Sequence, residues 1–96
     1  MIPRVVDGNK VVEVAHLSET ILPLGYTPAQ NVEQGLAPVL AFVIALGEGA
    51  DGDPVYYVSC LDEQGARVTG DMYYTLEAAR GLPSDEFGID VTWSPV

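Results

Sequence analysis

Residues 38–61 decide the fold, and they read PVLAFVIALGEGADGDPVYYVSCL. Every residue of the segment 39–46 is apolar, which is typical of a strand buried on both faces. The competing interpretation is a helix, because apolar residues also recur at helical spacing, at Val32, Leu36, Val39, Leu40, Val43 and Leu46. Pro38 would then lie inside the helix, where it removes a hydrogen bond and clashes with the preceding turn, at a cost of about 3 kcal/mol. The sequence therefore favours a strand over 39–46.

The segments on both sides of this strand indicate further strands joined by tight turns. The loop 47–54 is rich in glycine and acids, and 55–61 is rich in the β-branched and aromatic residues that strands favour. A turn at 62–65 leads into a returning strand at 66–69. Near the N-terminus, Asp7-Gly8 between valine-rich segments predicts a β-hairpin. We expect an irregular corner or one helical turn at 18–25, and a last, edge strand at 89–93, where apolar and polar residues alternate.

Two short helices are predicted from their capping residues. Thr27 and Pro28 match the first positions of a helix that would run near 28–34 and end at Gly35. Thr75 caps a second helix, which Gly81-Leu82-Pro83 should end. The expected fold is α+β: a single domain over 1–96, with no linker or free tail. It would contain an antiparallel sheet of five to six strands with two short helices packed on one face.

The charge balance excludes several classes of partner. The 96 residues include 14 Asp and Glu but only 4 Lys and Arg, giving a formal net charge of -10. Such a surface repels the phosphate backbone, so we expect no direct binding of nucleic acid. It also disfavours binding to anionic membranes, which requires clustered bases. A single cysteine, Cys60, and the absence of an apolar leader predict a cytoplasmic protein.

Residues suited to catalysis or metal binding are sparse. With one histidine, His16, and one cysteine, Cys60, the chain lacks the ligands of a zinc or iron site, and no local motif frames a nucleophile. Asp51 and Asp53 could belong to a calcium loop, but position 6 counted from Asp51 is Tyr56, where the calcium-binding helix-loop-helix motif requires glycine. We therefore expect no catalytic residues, no metal and no cofactor, and predict that the protein is not an enzyme.

After these exclusions, two features of the sequence remain to be explained: the acidic residues in the predicted turns and the tyrosines. Negative fields steer association with basic partners, and tyrosine is enriched in interface hot spots. The sequence thus predicts a non-catalytic acidic module that binds a basic protein partner, such as a nucleic-acid-dependent enzyme. The expected role is inhibition, of the immunity, antitoxin or phage anti-defence type. The candidate contact residues are Glu48, Asp51, Asp53, Tyr56, Asp62, Glu63, Tyr73, Tyr74, Asp85 and Glu86.

Two other hypotheses stay open. The mean hydropathy of +0.19 and the expected edge strand are compatible with a structural or assembly subunit, either a homo-oligomer or a virion component. The acidic loop 47–54 is compatible with a small enzyme or a calcium-binding module.

Overall fold

A computed structural model describes residues 2–22 and 38–96 of the chain. In chain order the elements are β1 (Val5–Val6), β2 (Asn9–Ile21), β3 (Val39–Glu48), β4 (Pro54–Leu61), β5 (Arg67–Tyr73), α1 (Leu76–Arg80), α2 (Leu82–Phe87) and β6 (Ser94–Pro95). The strands form one sheet in the order β1-β2-β3-β4-β5, and β6 pairs with β2. All of these pairings are antiparallel, which confirms the predicted sheet.

The central strand β3 confirms the strand interpretation of 39–46. Phe42 and Ile44 point to one face of the sheet and join the core beneath the helix. Val43 and Ala45 point to the other face and belong to a second buried cluster. All four side chains are fully buried, which explains why β3 is apolar at consecutive positions rather than alternate ones.

The N-terminal hairpin forms as predicted, but the strand that follows it is longer than expected. Asp7 and Gly8 both have positive φ, the conformation of a two-residue hairpin turn, and Val5 pairs with Lys10 across it. β2 then continues to Ile21, so the corner or helical turn predicted at 18–25 is wrong over 18–21. Its pairing with β3 shifts register between His16 and Ile21, which lets an extended chain replace the expected corner.

The helical part of the described chain is one short bent helix, at the second of the two predicted positions. Thr75 caps α1, and its Oγ1 accepts the backbone N–H of Ala78 at 3.1 Å. The chain bends at Gly81 and continues as α2, so Gly81-Leu82-Pro83 does not end the helix. Pro83 is accommodated because it lies in the first turn of α2, where a backbone N–H would have no partner within the helix. The helix predicted at 28–34 lies outside the described residues.

The C-terminal segment packs on the core without forming the predicted strand at 89–93. Ile89, Val91 and Trp93 contact the cluster beneath the helix, while Ser94–Pro95 is the only part of this segment that pairs with a strand among the described residues, namely with β2. The Trp93 ring lies 6.4 Å from that of Phe42, and its Nε1 donates to the carbonyl of Arg80. Apolar packing therefore holds residues 89–93, and sheet pairing holds only the two residues that follow.

One ion pair joins the helix to the sheet. Arg80 donates to both carboxylate oxygens of Glu13 in β2, with Nε 2.9 Å from Oε1. Glu13 is 8% exposed, so this charge is neutralised inside the packing between helix and sheet. Neither helical segment of the described chain has the length and apolarity needed to cross a membrane.

Candidate functional site

The structure distributes the ten predicted contact residues among four places. Four of them, Glu48, Asp51, Asp53 and Tyr74, line one cleft at the end of the sheet. Tyr56 and Tyr73 pack against the core beneath the helix, and Asp85 and Glu86 lie on α2. Asp62 and Glu63 lie in the β4–β5 turn, where Asp62 Oδ1 accepts the N–H groups of Gln64 and Ala66, each at 2.9 Å.

One wall of this cleft is formed by residues 49–53, the part of the acidic loop that lies between β3 and β4. It closes the hairpin between β3 and β4, and Glu48 pairs with Pro54 at its base. The N–H of Gly49 donates to the carbonyl of Asp53 at 2.8 Å, and the N–H of Gly52 donates to the carbonyl of Gly49 at 3.0 Å. Gly52 has a φ of +82°, which a residue with a side chain seldom adopts. These contacts fix the positions from which Asp51 and Asp53 project.

Apolar and aromatic side chains from β4, β5 and the residue after β5 complete the cleft. The set formed by Glu48, Gly49, Ala50, Asp51, Asp53, Val55, Tyr57, Met72 and Tyr74 encloses about 450 Å³ and is called the tyrosine cleft below. Tyr74 is 74% exposed and Met72 is 40% exposed. A second hollow of about 220 Å³ shares Tyr57 and Met72 and continues along β5 past Gly70. Apolar surface is therefore accessible beside the acidic loop.

The sequence contains two pairs of consecutive tyrosines, and in each pair the first tyrosine packs beneath the helix and the second lines the cleft. Tyr56 pairs with Tyr73 across β4 and β5, and both pack beneath the helix. Tyr57 pairs with Met72 on the opposite face, where both line the cleft. The predicted contact residue Tyr56 is therefore the member of its pair that packs beneath the helix, and Tyr57, which the sequence did not single out, is the member that lines the cleft. Because side chains alternate along a strand, Tyr56 and Tyr57 must point to opposite faces of the sheet. The sequence of the strand does not indicate which of these faces the helix covers.

The carboxylates of the cleft have no cation of their own. All four Lys and Arg residues lie within the described chain, and two of them form ion pairs, Arg67 with Asp7 and Arg80 with Glu13. No Lys or Arg side chain pairs with Glu48, Asp51 or Asp53 among the described residues. The tyrosine cleft is therefore a negatively charged site with an aromatic lining.

A second group of acids surrounds Tyr73 at the helix side of the sheet. Burial, followed by the charges of Asp71 and Asp85, raises the pKa of Glu86. Burial also raises the pKa of Tyr73, and the neighbouring Asp71, Glu86 and Asp85 raise it further. These acids repel one another beside a tyrosine that is packed in the core, so they differ from the cleft acids, which lie beside exposed apolar side chains.

Cys60 and His16 cannot act together, because they lie on opposite faces of the sheet. Cys60 pairs with Phe42 on the helix-covered face, whereas His16 pairs with Ala41 on the other. Burial, with a smaller contribution from Glu86, raises the pKa of the Cys60 thiol to about 12, so the thiolate is not formed near neutral pH. Across the described residues, no group of three or more His, Cys, Asp or Glu side chains could hold a metal ion. Glu48, Asp51 and Asp53 line one cleft without converging on a single point.

Comparison with known proteins identified no relative of this chain. The chain matches no family model, no curated protein and no solved structure.

Proposed function

We propose that the protein is a non-catalytic binding module that holds a basic surface of a partner protein in its tyrosine cleft. The observation that carries this proposal is the combination of three carboxylates that pair with no Lys or Arg among the described residues with two exposed side chains in the same cleft, Met72 and Tyr74. Such a site favours a ligand that is both cationic and able to cover apolar area, which is the chemistry of a basic protein surface.

The two parts of the cleft would contribute differently to binding. The carboxylates at Asp51 and Asp53, within a molecule of net charge -10, would steer a basic partner and raise the association rate. Tyr57, Met72 and Tyr74 would supply contact area, since tyrosine buries a large surface while its hydroxyl remains hydrogen-bonded. We expect the affinity to fall as salt rises, because exposed charges are screened within about 10 Å at 0.1 M salt.

Inhibition is the role that we propose for such binding. A module that covers a basic surface prevents that surface from binding nucleic acid, so a nucleic-acid-dependent enzyme is the kind of partner we expect. We further propose that the protein acts in the cytoplasm, where the unpaired thiol of Cys60 would stay reduced.

Two charge-reversal variants with the same change in net charge test the proposal. Asp51→Lys/Asp53→Lys alters the cleft, and Asp85→Lys/Glu86→Lys alters α2. Each variant and the wild type would capture proteins from a lysate of the source cells, and the affinity of each captured protein would then be measured at low and at raised salt. We expect a basic partner whose binding falls roughly 10-fold or more in the cleft variant only. Equal loss in both variants, or binding that salt does not weaken, would contradict the proposal.

Self-association is a second candidate, and the position of β5 favours it. β5 is the last strand in the sheet order, and no other strand of the described residues pairs with its outer edge. An edge of this kind can pair with the same edge of a second copy. Light scattering at micromolar concentration tests this alternative: a dimer that the β5 substitution Thr69→Pro dissociates would support it, and a monomer would exclude it.

A further inference from the structure

We propose that the tyrosine cleft binds the side chain of an arginine of the partner, in preference to a lysine. The inference rests on the proposed function and specifies which cation the cleft recognises. The decisive observation is that planar aromatic and acidic side chains line the same hollow. Tyr57 and Tyr74 supply ring surfaces, and Glu48, Asp51 and Asp53 supply carboxylates.

The ring of Tyr57 is held in place from below. A Cβ built on Gly47 would lie only 2.5 Å from Cε2 of Tyr57, so the ring rests directly against the backbone of β3. A fixed ring forms a flat surface on which a guanidinium group stacks with little loss of conformational entropy. Tyr74, which is 74% exposed, supplies a second ring at the opening of the cleft.

The loop backbone that bears two of the carboxylates is also closed before any ligand arrives. The hydrogen bonds between Gly49 and Asp53 and between Gly52 and Gly49 close the loop that bears Asp51 and Asp53. A guanidinium group carries five N–H donors in a rigid plane, so it can donate to a carboxylate while its face covers a ring. The lining of the cleft offers both partners to one group.

The apolar part of the lining favours arginine over lysine. Val55 and Met72 line the same hollow as the rings and the acids, so an entering cation loses part of its hydration. An ammonium group is a compact and strongly hydrated charge, whereas guanidinium is weakly hydrated and stacks on aromatic rings. The volume of about 450 Å³ is at the lower end of the range for ligand sites, which suits one long side chain and its flanking backbone.

Three pentapeptides test the inference: acetyl-Gly-Gly-X-Gly-Gly-amide, with X as arginine, lysine or citrulline. Citrulline has the shape of arginine but no charge. Binding would be followed by NMR, through the methyl group of Met72 and the ring protons of Tyr57 and Tyr74. We expect the arginine peptide to bind about 3-fold to 10-fold more tightly than the lysine peptide, and the citrulline peptide to bind at least roughly 10-fold more weakly.

Substitutions of Tyr74 provide the matched controls. Tyr74→Phe keeps the ring and should retain binding of the arginine peptide, whereas Tyr74→Leu keeps an apolar side chain but removes the ring and should weaken it several-fold. Both variants alter an exposed position, so both should fold.

The possible results separate this inference from the proposed function. If the arginine and lysine peptides bind equally and the citrulline peptide does not bind, the preference for arginine is overturned while a basic partner remains supported. If the citrulline peptide binds as tightly as the arginine peptide, both proposals are overturned. If no peptide perturbs the cleft resonances but the charge-reversal experiment succeeds, the arginine site is overturned and the binding function stands.

Discussion

Both faces of the sheet carry tyrosines and carboxylates, but these residues have different surroundings on each face. On the helix-covered face, Tyr56 and Tyr73 pack in the core, and the acid Glu13 is neutralised by Arg80. On the cleft face, Tyr57 lines an open hollow whose acids have no Lys or Arg partner within the described chain. The comparison shows that neither tyrosine nor carboxylate identifies a binding site by itself; what distinguishes the cleft is that its acids lie beside exposed apolar and aromatic side chains, at Met72 and Tyr74.

The first prediction concerns the helix-covered face and has the largest expected effect. Phe42 is fully buried, and its ring lies 5.2 Å from that of Phe87 at an interplanar angle of 74°. We expect Phe42→Ala to lower the free energy of unfolding by about 3–5 kcal/mol, because it leaves a cavity beneath the helix. Urea denaturation followed by circular dichroism would measure the loss. Phe42→Leu, which keeps most of the volume, should cost less than about 1.5 kcal/mol, and equal losses would contradict this account of the core.

The second prediction concerns the strand pair that carries the cleft. A Cβ built on Gly70 would lie 2.5 Å from the backbone carbonyl oxygen of Val58, so β4 and β5 approach too closely for any side chain there. Gly70→Ala should therefore destabilise the fold by about 1–3 kcal/mol. The neighbouring substitution Thr69→Ala is the control for strand propensity, and denaturation midpoints would compare the two. An unfolding free energy unchanged by Gly70→Ala would show that the two strands separate readily.

The third prediction concerns the shape of the cleft rather than stability. Gly47→Ala places a methyl group where the Tyr57 ring now rests, and the ring must move because a side chain gives way more easily than a strand. We expect a several-fold weaker affinity for the arginine peptide, a shift of the Tyr57 ring resonances and a smaller loss of stability than for Gly70→Ala. Ala50→Ser, in the loop that follows β3, is a control that should leave the ring in place. Unchanged peptide affinity in Gly47→Ala would show that the ring position does not matter for binding.

The fourth and smallest effect concerns the acids beside α2. The folded protein raises the pKa of Glu86 above its unfolded value, so the contribution of Glu86 to stability is greatest below the unfolded pKa and is lost as pH rises through the folded pKa. Glu86→Gln, which resembles the protonated form, should therefore raise Tm slightly at neutral pH and have little effect below about pH 4. The control is Glu63→Gln, which removes the same charge from the β4–β5 turn. Thermal unfolding scans would measure the Tm of each variant, and a lower Tm for Glu86→Gln than for the wild type at neutral pH would contradict the raised pKa of Glu86.

Much of the sheet could be predicted from the sequence, because local signals agreed with the tertiary structure. The continuous apolar run at 39–46, Pro38 before it and the Asp7-Gly8 turn all pointed to the strands that form. The bend at Gly81 could not be predicted in the same way. Gly and Pro usually end a helix, and only the burial of Leu82 and Phe87 against the sheet favours its continuation.

The candidate site could be predicted only in part, for a similar reason. The sequence placed Glu48, Asp51 and Asp53 in one loop, where turn chemistry keeps them together. It did not identify Met72 or distinguish Tyr57 from Tyr56, because membership of the cleft depends on the pairing of β4 with β5 and on the face that the helix covers.

Neighbouring tyrosines allow the contrast between the two faces to be tested in one experiment. Tyr73→Ala and Tyr74→Ala would each be measured for unfolding free energy and for affinity of the folded protein for the arginine peptide. We predict that Tyr73→Ala lowers stability by about 1–2 kcal/mol and leaves the affinity unchanged. Tyr74→Ala, at a position 74% exposed, should lower the affinity several-fold and change stability by less than about 0.5 kcal/mol. Equal effects of the two variants on both quantities would contradict the distinction between tyrosines on the helix-covered face and tyrosines in the cleft.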